Sequence, residues 1–270
     1  MATDRIPVVL SIAGSDSGGG AGIQADLKAF ARCGVHGATA ITAITAQSTI
    51  AVDAVEAVSP EMIRAQVRSV AGDLGVAAVK IGMVGGVEAI EAVAQALGEL
   101  PAGTPVVLDP VMVAESGGRL LDLHAEEALR TRLVPLATVV TPNVAEARVL
   151  AQAGEDVTAE ELARAVHALG PQAVIVTGGH RDEATDLLYD GASLTELPGE
   201  RHPDGAAHGS GCTHSSALAA RLALGDDLAD AARAARAIAS DAVRDGLREL
   251  GAGAGPVNVL GVGRGAGVVP

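Results

Sequence analysis

The sequence predicts an α/β domain built on a mostly parallel central sheet with helices on both faces. Three observations predict it. Short runs rich in β-branched residues recur along the chain, and most are followed by a loop and a longer amphipathic stretch, the alternation that builds parallel strands with crossover helices. The runs are mostly apolar, without the strict alternation of a half-exposed strand, as suits strands covered on both faces. No linker, repeat or charge block divides the 270 residues, 49% of them hydrophobic, so residues 1–270 read as one domain able to bury a sizeable core.

In order, the runs are VVLSI (8–12), ATAIT (38–42), AAVKI (77–81), PVVLD (105–109), ATVVT (137–141) and AVIVT (173–177). After the first comes GSDSGGGAGIQADLKAF (14–30), a glycine-rich loop that opens a helix. Its glycines lack the Cβ atoms that would keep backbone away from a ligand. TDLLYDG and SLTELPG within 185–199 read as a polar-edged hairpin. A helix is expected to begin near Cys212, and the alanine-rich stretch from Asp226 to Leu250 forms one long helix or two. The glycine-rich residues from about 251 onward are expected to be loosely ordered.

Charge and cysteine content narrow the function. With 19 Lys and Arg against 33 Asp and Glu, the net charge is −14. Nucleic acid and anionic membranes are repelled over most of such a surface, so any phosphate must be held by local devices. Cys33 and Cys212 have neither zinc-site nor disulfide spacing, which suits a reducing compartment. IPVVLSIAG is too short to span a membrane and lacks the flanks of a signal peptide. A cytoplasmic location is expected.

In open parallel sheets, ligands bind beyond the carboxyl ends of the strands. The residues there are the opening loop, Gln47, KIGM (80–83), DPVM (109–112), TPNVAE (141–146), TGGH (177–180) and HGSGCTHSS (208–216). They contain no Walker loop, and the glycines of Gly20-x-Gly22-x-x-Ala25 lie too far past their strand for a dinucleotide fingerprint. Small residues 209–211 ahead of a helix read as an ordinary N-cap or as a backbone nest for an anion. Asp109, and Asn143 with Glu146, read as caps or turn residues, or as ligands that hold Mg²⁺ largely through water beside a nucleotide phosphate. Lys80 reads as a salt-bridged lysine or a phosphate contact. His208 and His214 flank the nest, whereas His36, His124, His167 and His202 read as surface or satisfied histidines. Phe30 and Tyr189 are the only aromatic residues, so a bound ring must lie on aliphatic side chains and backbone.

IAGSDSGGGAGIQADLK, ITAITAQ, VKIGM, DPVMVAESG, VTPNVAEA, GGH and HGSGCTHSSA, in this order and over nearly the whole chain, resemble the hydroxymethylpyrimidine/phosphomethylpyrimidine kinases of thiamine biosynthesis. The resemblance implies a ribokinase-like fold. It also implies Mg-ATP-dependent phosphorylation of 4-amino-5-hydroxymethyl-2-methylpyrimidine and then of its monophosphate. By the same resemblance, the Gly14 loop and Asp26 lie at the pyrimidine site, Gln47 bonds the aminopyrimidine edge, and Met83 and Val111 form apolar walls. Gly209, Ser210, Gly211 and Cys212 make the anion hole. Cys212 stands where sugar-kinase relatives carry an aspartate base, and a helix N-terminus is expected to lower its thiol pKa. Asn143, Thr177 and Gly178 face the nucleotide, Asp109 and Glu146 the metal, and a homodimer is expected. Ser210 replaces the family's usual Thr, Glu115 its Lys or Thr, and Thr177 its Lys, so two cations near the nucleotide are missing. Pyridoxal kinase is the alternative kinase reading. A non-catalytic pyrimidine or nucleotide sensor is the alternative outside enzymes.

Overall fold

Residues 5–113, 117, 120–121, 124–178 and 184–263 are described by the computed structural model. The chain starts with β1 (Val8–Ser15), α1 (Gly22–Cys33), β2 (His36–Gln47) and β3 (Val52–Ala57). There follow α2 (Pro60–Asp73), β4 (Ala78–Ile81), α3 (Val87–Leu97) and β5 (Val106–Leu108). The short α4 (Ala125–Ala128) continues through further helical turns to Leu136 and leads into β6 (Val139–Val140), α5 (Val144–Ala151), α6 (Ala159–His167) and β7 (Ala173–Val176). β8 (Asp186–Tyr189) and β9 (Leu194–Leu197) form the expected hairpin, and α7 (Ser210–Ala223) and α8 (Leu228–Arg244) complete the set.

The strands form one sheet in the order β3-β2-β1-β4-β5-β6-β7-β8-β9. The six from β2 to β7 are parallel, while at the edges β3 pairs antiparallel with β2, β8 with β7, and β9 with β8. All six apolar runs are strands, each buried for the reason that made it apolar. Alternate residues of one strand serve opposite faces: Leu10 and Ile12 pack with Ile63, Ile90 and Leu162 of α2, α3 and α6, whereas Val9 packs with Phe30, Leu218 and Ala235 of α1, α7 and α8. Helix starts follow local chemistry. Ser59 caps α2 ahead of Pro60, and Thr158 with Glu161 forms a capping box on α6.

One strand lies outside the runs read from the sequence: VDAVEA forms β3, paired to the outer half of β2, although nearly all its residues are exposed. The segment after residue 250, expected to be loosely ordered, is anchored. Val257 N–H donates to His208 O at 3.0 Å and Asn258 N–H to Ala242 O at 2.8 Å, and Val257 and Val259 pack with Ala29 and Ala242. Glycine content reports backbone freedom, and these main-chain bonds to distant residues remove it. Residues 264–270 lie outside the described residues. The stretch from Asp226 contains one helix, α8, and α7 begins at Ser210, two residues before Cys212.

The direction of the parallel crossovers reverses between β1, flanked by β2, and β4 on its other side. That reversal opens a crevice past the carboxyl ends of β1 and β4.

Candidate active site

The crevice holds a cavity of about 580 Å³ lined by Gly14, Gln47, Met83, Asp109, Val111, Asn143, Glu146, Thr177 and Gly209 to Cys212, among others. At one end, Gly14 donates its N–H to Met83 O at 3.1 Å, and a Cβ on Gly14 would collide with the Met83 side chain. Gln47 sits at a bulge in β2, half-buried, with Thr45 Oγ1 donating to its Oε1 at 3.3 Å. With Met83 and half-buried Val111 it forms a surface of apolar walls and one carboxamide.

Asp26 does not line this cavity. It lies beneath it with no exposed surface, bonded to Lys80 Nζ at 2.9 Å, Ser11 Oγ at 2.6 Å and Ser216 Oγ at 2.7 Å. Three donors occupy most of the carboxylate's acceptor sites, so it holds the floor in place. Lys80 borders the cavity but is committed to this ion pair. Burial works against its charge, yet Asp26, with Cys212 and Asp109, keeps it raised above the ordinary lysine value.

The anion nest starts at Gly209, whose φ of 84° and close packing on the Gly20 carbonyl both require glycine. Ser210 N–H is already taken by Ala207 O at 2.9 Å. The N–H groups of Gly211 and Cys212, second and third in α7, have no partner within the helix and open toward the cavity. The expected thiolate is not supported. Desolvation, with Asp26 and Asp109 nearby, pushes the half-buried Cys212 thiol up to about 12 despite Lys80 and the Gly22 N–H.

Asp109 follows β5, accepts from Ser215 Oγ at 3.0 Å, and lies 3.9 Å from where a Gly211 Cβ would stand. Glu146 completes a capping box with Asn143, the two backbone-to-side-chain bonds each measuring 2.9 Å. Burial, then repulsion from Asp109, pushes Glu146 up to about 8, and burial likewise raises Asp109. Buried Asp109 and half-buried Glu146 both resist ionisation, and two such neighbouring carboxylates suit a divalent cation between them. Among the described residues no group of three His, Cys, Asp or Glu side chains could hold a metal ion, so a cation between these two carboxylates would need phosphate oxygens and water in its remaining positions.

Thr177 borders the cavity, whereas Gly178 does not. Its N–H donates to Asp186 Oδ1 at 2.8 Å, and a Cβ there would strike the Thr185 carbonyl. Beside them stands a cluster the sequence reading did not assemble. Asp186 lies 3.6 Å from both Arg236 Nη1 and His214 Nε2, and Arg236 Nε, Asp186 Oδ2 and both His214 ring nitrogens are buried without hydrogen-bond partners. Burial lowers the His214 pKa, so the ring is neutral. A stripe on α8 did hint at this wall: Arg236, Ala239, Ser240 and Val243 follow helical spacing and all face the cavity. His202 also lines it and bonds Ser240 at 2.8 Å.

The phosphomethylpyrimidine kinase family model matches residues 16–258. This chain belongs to that family. The hydroxymethylpyrimidine/phosphomethylpyrimidine kinase of Rhizobium meliloti is 51% identical over 257 residues, covering 93% of this chain and 96% of that one. Among solved structures, the ADP complex of Bacillus subtilis pyridoxal kinase superposes with a TM-score of 0.85 at 38% identity, covering 94% of this chain and 97% of that one. The phosphomethylpyrimidine kinase of Clostridium difficile 630 does so with a TM-score of 0.77 at 38% identity, covering 88% and 99%. The chain is thus a phosphotransferase of ribokinase-like fold, and ATP is its co-substrate. In this kinase half-buried Arg236, 3.6 Å from Asp186, offers a cation on the cavity that Thr177 also borders. Glu115 lies outside the described residues. No helix of the described residues is long and apolar enough to cross a membrane.

Proposed function

We propose that the kinase transfers the γ-phosphate of ATP to the hydroxymethyl oxygen of 4-amino-5-hydroxymethyl-2-methylpyrimidine, and a second phosphate to the resulting monophosphate. The observation that carries this reading is the half-buried Gln47 carboxamide among the Gly14, Met83 and Val111 walls, which offers an acceptor and a donor to an aminopyrimidine edge. The acceptor oxygen forms a bond to phosphorus as the β,γ-bridging oxygen leaves. Gly211 and Cys212 N–H groups stabilise the charge on the transferring phosphoryl group, and Arg236 with His214 faces the nucleotide phosphates. Phosphoryl transfer proceeds through a loose transition state that relies on positioning and charge stabilisation. A protonated Cys212 thiol is therefore compatible with turnover, and the hydroxyl proton can leave late to phosphate or water. Mg²⁺ held by Asp109 and Glu146 would neutralise phosphate charge.

The likeness to pyridoxal kinases favours a second reading, in which pyridoxal is also phosphorylated. ADP release measured with the pyrimidine, its monophosphate and pyridoxal tests both. Pyrimidine turnover with kcat/KM at least about tenfold above pyridoxal supports the first reading. Equal or better use of pyridoxal overturns it. The kinase acts in the cytoplasm as a homodimer on this reading, and exposed Ile44, Ile50 and Val55 around β2 and β3 support the pairing of two copies. Sedimentation at micromolar concentration tests it, and a monomer there overturns it.

A further inference from the structure

His208 and Asp16 are 192 positions apart in the chain, yet His208 Nε2 lies 3.1 Å from Asp16 Oδ2. Both side chains are almost fully buried, and both residues border the cavity. A carboxylate can only accept, so Nε2 carries the proton. The remaining valences of Asp16 are spent on the glycine-rich loop: Oδ1 accepts from Gly18 N–H at 2.8 Å, and Oδ2 from Gly20 N–H at 3.0 Å and Ala21 N–H at 2.8 Å. Burial pushes Asp16 up, but the His208 bond and the donors of Ala21 and Gly18 outweigh it and hold the carboxyl below its usual value.

The pair therefore joins two walls with different tasks. Asp16 shapes the loop that, with Gly14, borders the acceptor end. His208 immediately precedes Gly209 and the nest. Around the pair the two backbones are in contact, since a Cβ on Gly20 would strike the His208 ring and one on Gly209 would strike the Gly20 carbonyl. The backbone of His208 is itself held, its carbonyl accepting from Val257. His208 thus has little freedom except in company with the loop it bonds.

We propose that His208 is a positioning residue that sets the distance and angle between the acceptor loop and the phosphate nest by clamping Asp16. A clamp of this kind governs the alignment of two reactants already bound, more than the binding of either one. Misplacement of about 1 Å between such groups commonly lowers rate by about a hundredfold. The inference rests on the kinase reading above but not on the identity of the acceptor, because either pyrimidine or pyridoxal would occupy the same end.

The test compares His208→Leu, His208→Asn and His208→Gln in ADP-release assays, using whichever acceptor the parent enzyme turns over. Asn is polar but too short to reach Asp16, whereas Gln places an Nε2 donor close to that of histidine. Expected for Leu and Asn is a kcat at least about tenfold lower, with KM for ATP and acceptor within about twofold, and recovery of most of kcat in Gln. Asp16→Ala combined with His208→Asn should be no slower than Asp16→Ala alone, because His208 acts through that carboxylate. Should Leu fail to fold, Asn and Gln carry the comparison, with melting curves recorded for each. An unchanged kcat in Asn, a loss confined to KM, or a Gln variant no better than Asn would overturn the proposal. A parent enzyme that turns over only pyridoxal would overturn the substrate assignment and leave this test intact.

Discussion

Gly211 and Gly209 stand two residues apart in the nest, and the structure assigns them opposite kinds of need for glycine. Gly211 lies inside α7 with helical backbone, and a Cβ there would meet nothing closer than Asp109 Oδ2 at 3.9 Å. Gly211→Ala should therefore fold, gaining up to about 1 kcal/mol from helix propensity. Gly211→Val should fold about as well as the parent. In both, on the proposed reading, the added carbon would stand over the N–H groups that receive the transferring phosphoryl group. Loss of one such donor commonly costs about 10²–10³ in kcat, or about 3–4 kcal/mol of barrier, and the valine variant should show at least that. Gly209→Ala reverses the pattern. Its φ of 84° costs an L-residue about 1–2 kcal/mol, and the overlap with the Gly20 carbonyl adds to it. At about 2–4 °C per kcal/mol, its melting temperature should fall by several degrees. Melting curves and ADP release on the same three preparations separate the cases. A Gly211→Val enzyme within about threefold of the parent would show that phosphate does not pass over this turn. A Gly211→Ala melting temperature lower than that of Gly209→Ala would refute the steric reasoning.

Cys212 should resist iodoacetamide near neutral pH and react progressively faster toward pH 10, followed by peptide mass spectrometry; rapid alkylation at pH 7 would restore the thiolate. Glu146→Gln keeps a side chain able to complete the cap, so its folding should be little changed while the Mg²⁺ concentration for half-maximal rate rises several-fold. An unchanged Mg²⁺ requirement would leave Glu146 as a cap alone. Glu146 ionises near 8 in the fold against 4.5 unfolded, so the folded state binds more protons between those values and metal-free stability falls as pH rises through that window. The melting temperature without metal should accordingly drop from pH 5 to 8, less so in Glu146→Gln, and a flat or rising profile would contradict the burial of this carboxyl. Gln47→Leu should abolish most of the pyrimidine preference by leaving the substrate's polar edge unpaired, an effect of about 1–3 kcal/mol in kcat/KM; an unchanged ratio with pyridoxal would remove Gln47 from recognition.

The parallel core was legible because each of its strands carries its own signal: Val8 to Ile12 or Ala173 to Val176 need only be apolar to be buried in the middle of a sheet. β3 was not, because its residues stay exposed and only its pairing with β2 defines it. Residues at strand ends could be gathered from topology, and the cavity brings Gly14, Gln47, Met83, Asp109, Val111, Asn143, Glu146 and Thr177 to one place. Asp26 and Gly178 share that neighbourhood without sharing the surface, a distinction set by side-chain direction and by partners such as Lys80 and Asp186. The upward push on the Cys212 thiol was not legible because helix polarity can be inferred from sequence, whereas desolvation depends on what packs around the sulfur. Arg236 and His214 were invisible as a pair because they lie apart in sequence, on α8 and α7, and meet around Asp186 on β8.

The brace formed by residues 256–258 also has an order in time. Every group of the cavity, from Gly14 to Val243, is synthesised before Val257 and Asn258, which fix the backbone of His208 and the end of α8. A nascent chain can thus complete its sheet and bring together both walls while the nest still lacks its outer support. Competence for phosphoryl transfer should arrive as a late, separate event in biosynthesis, after a sheet that is already closed.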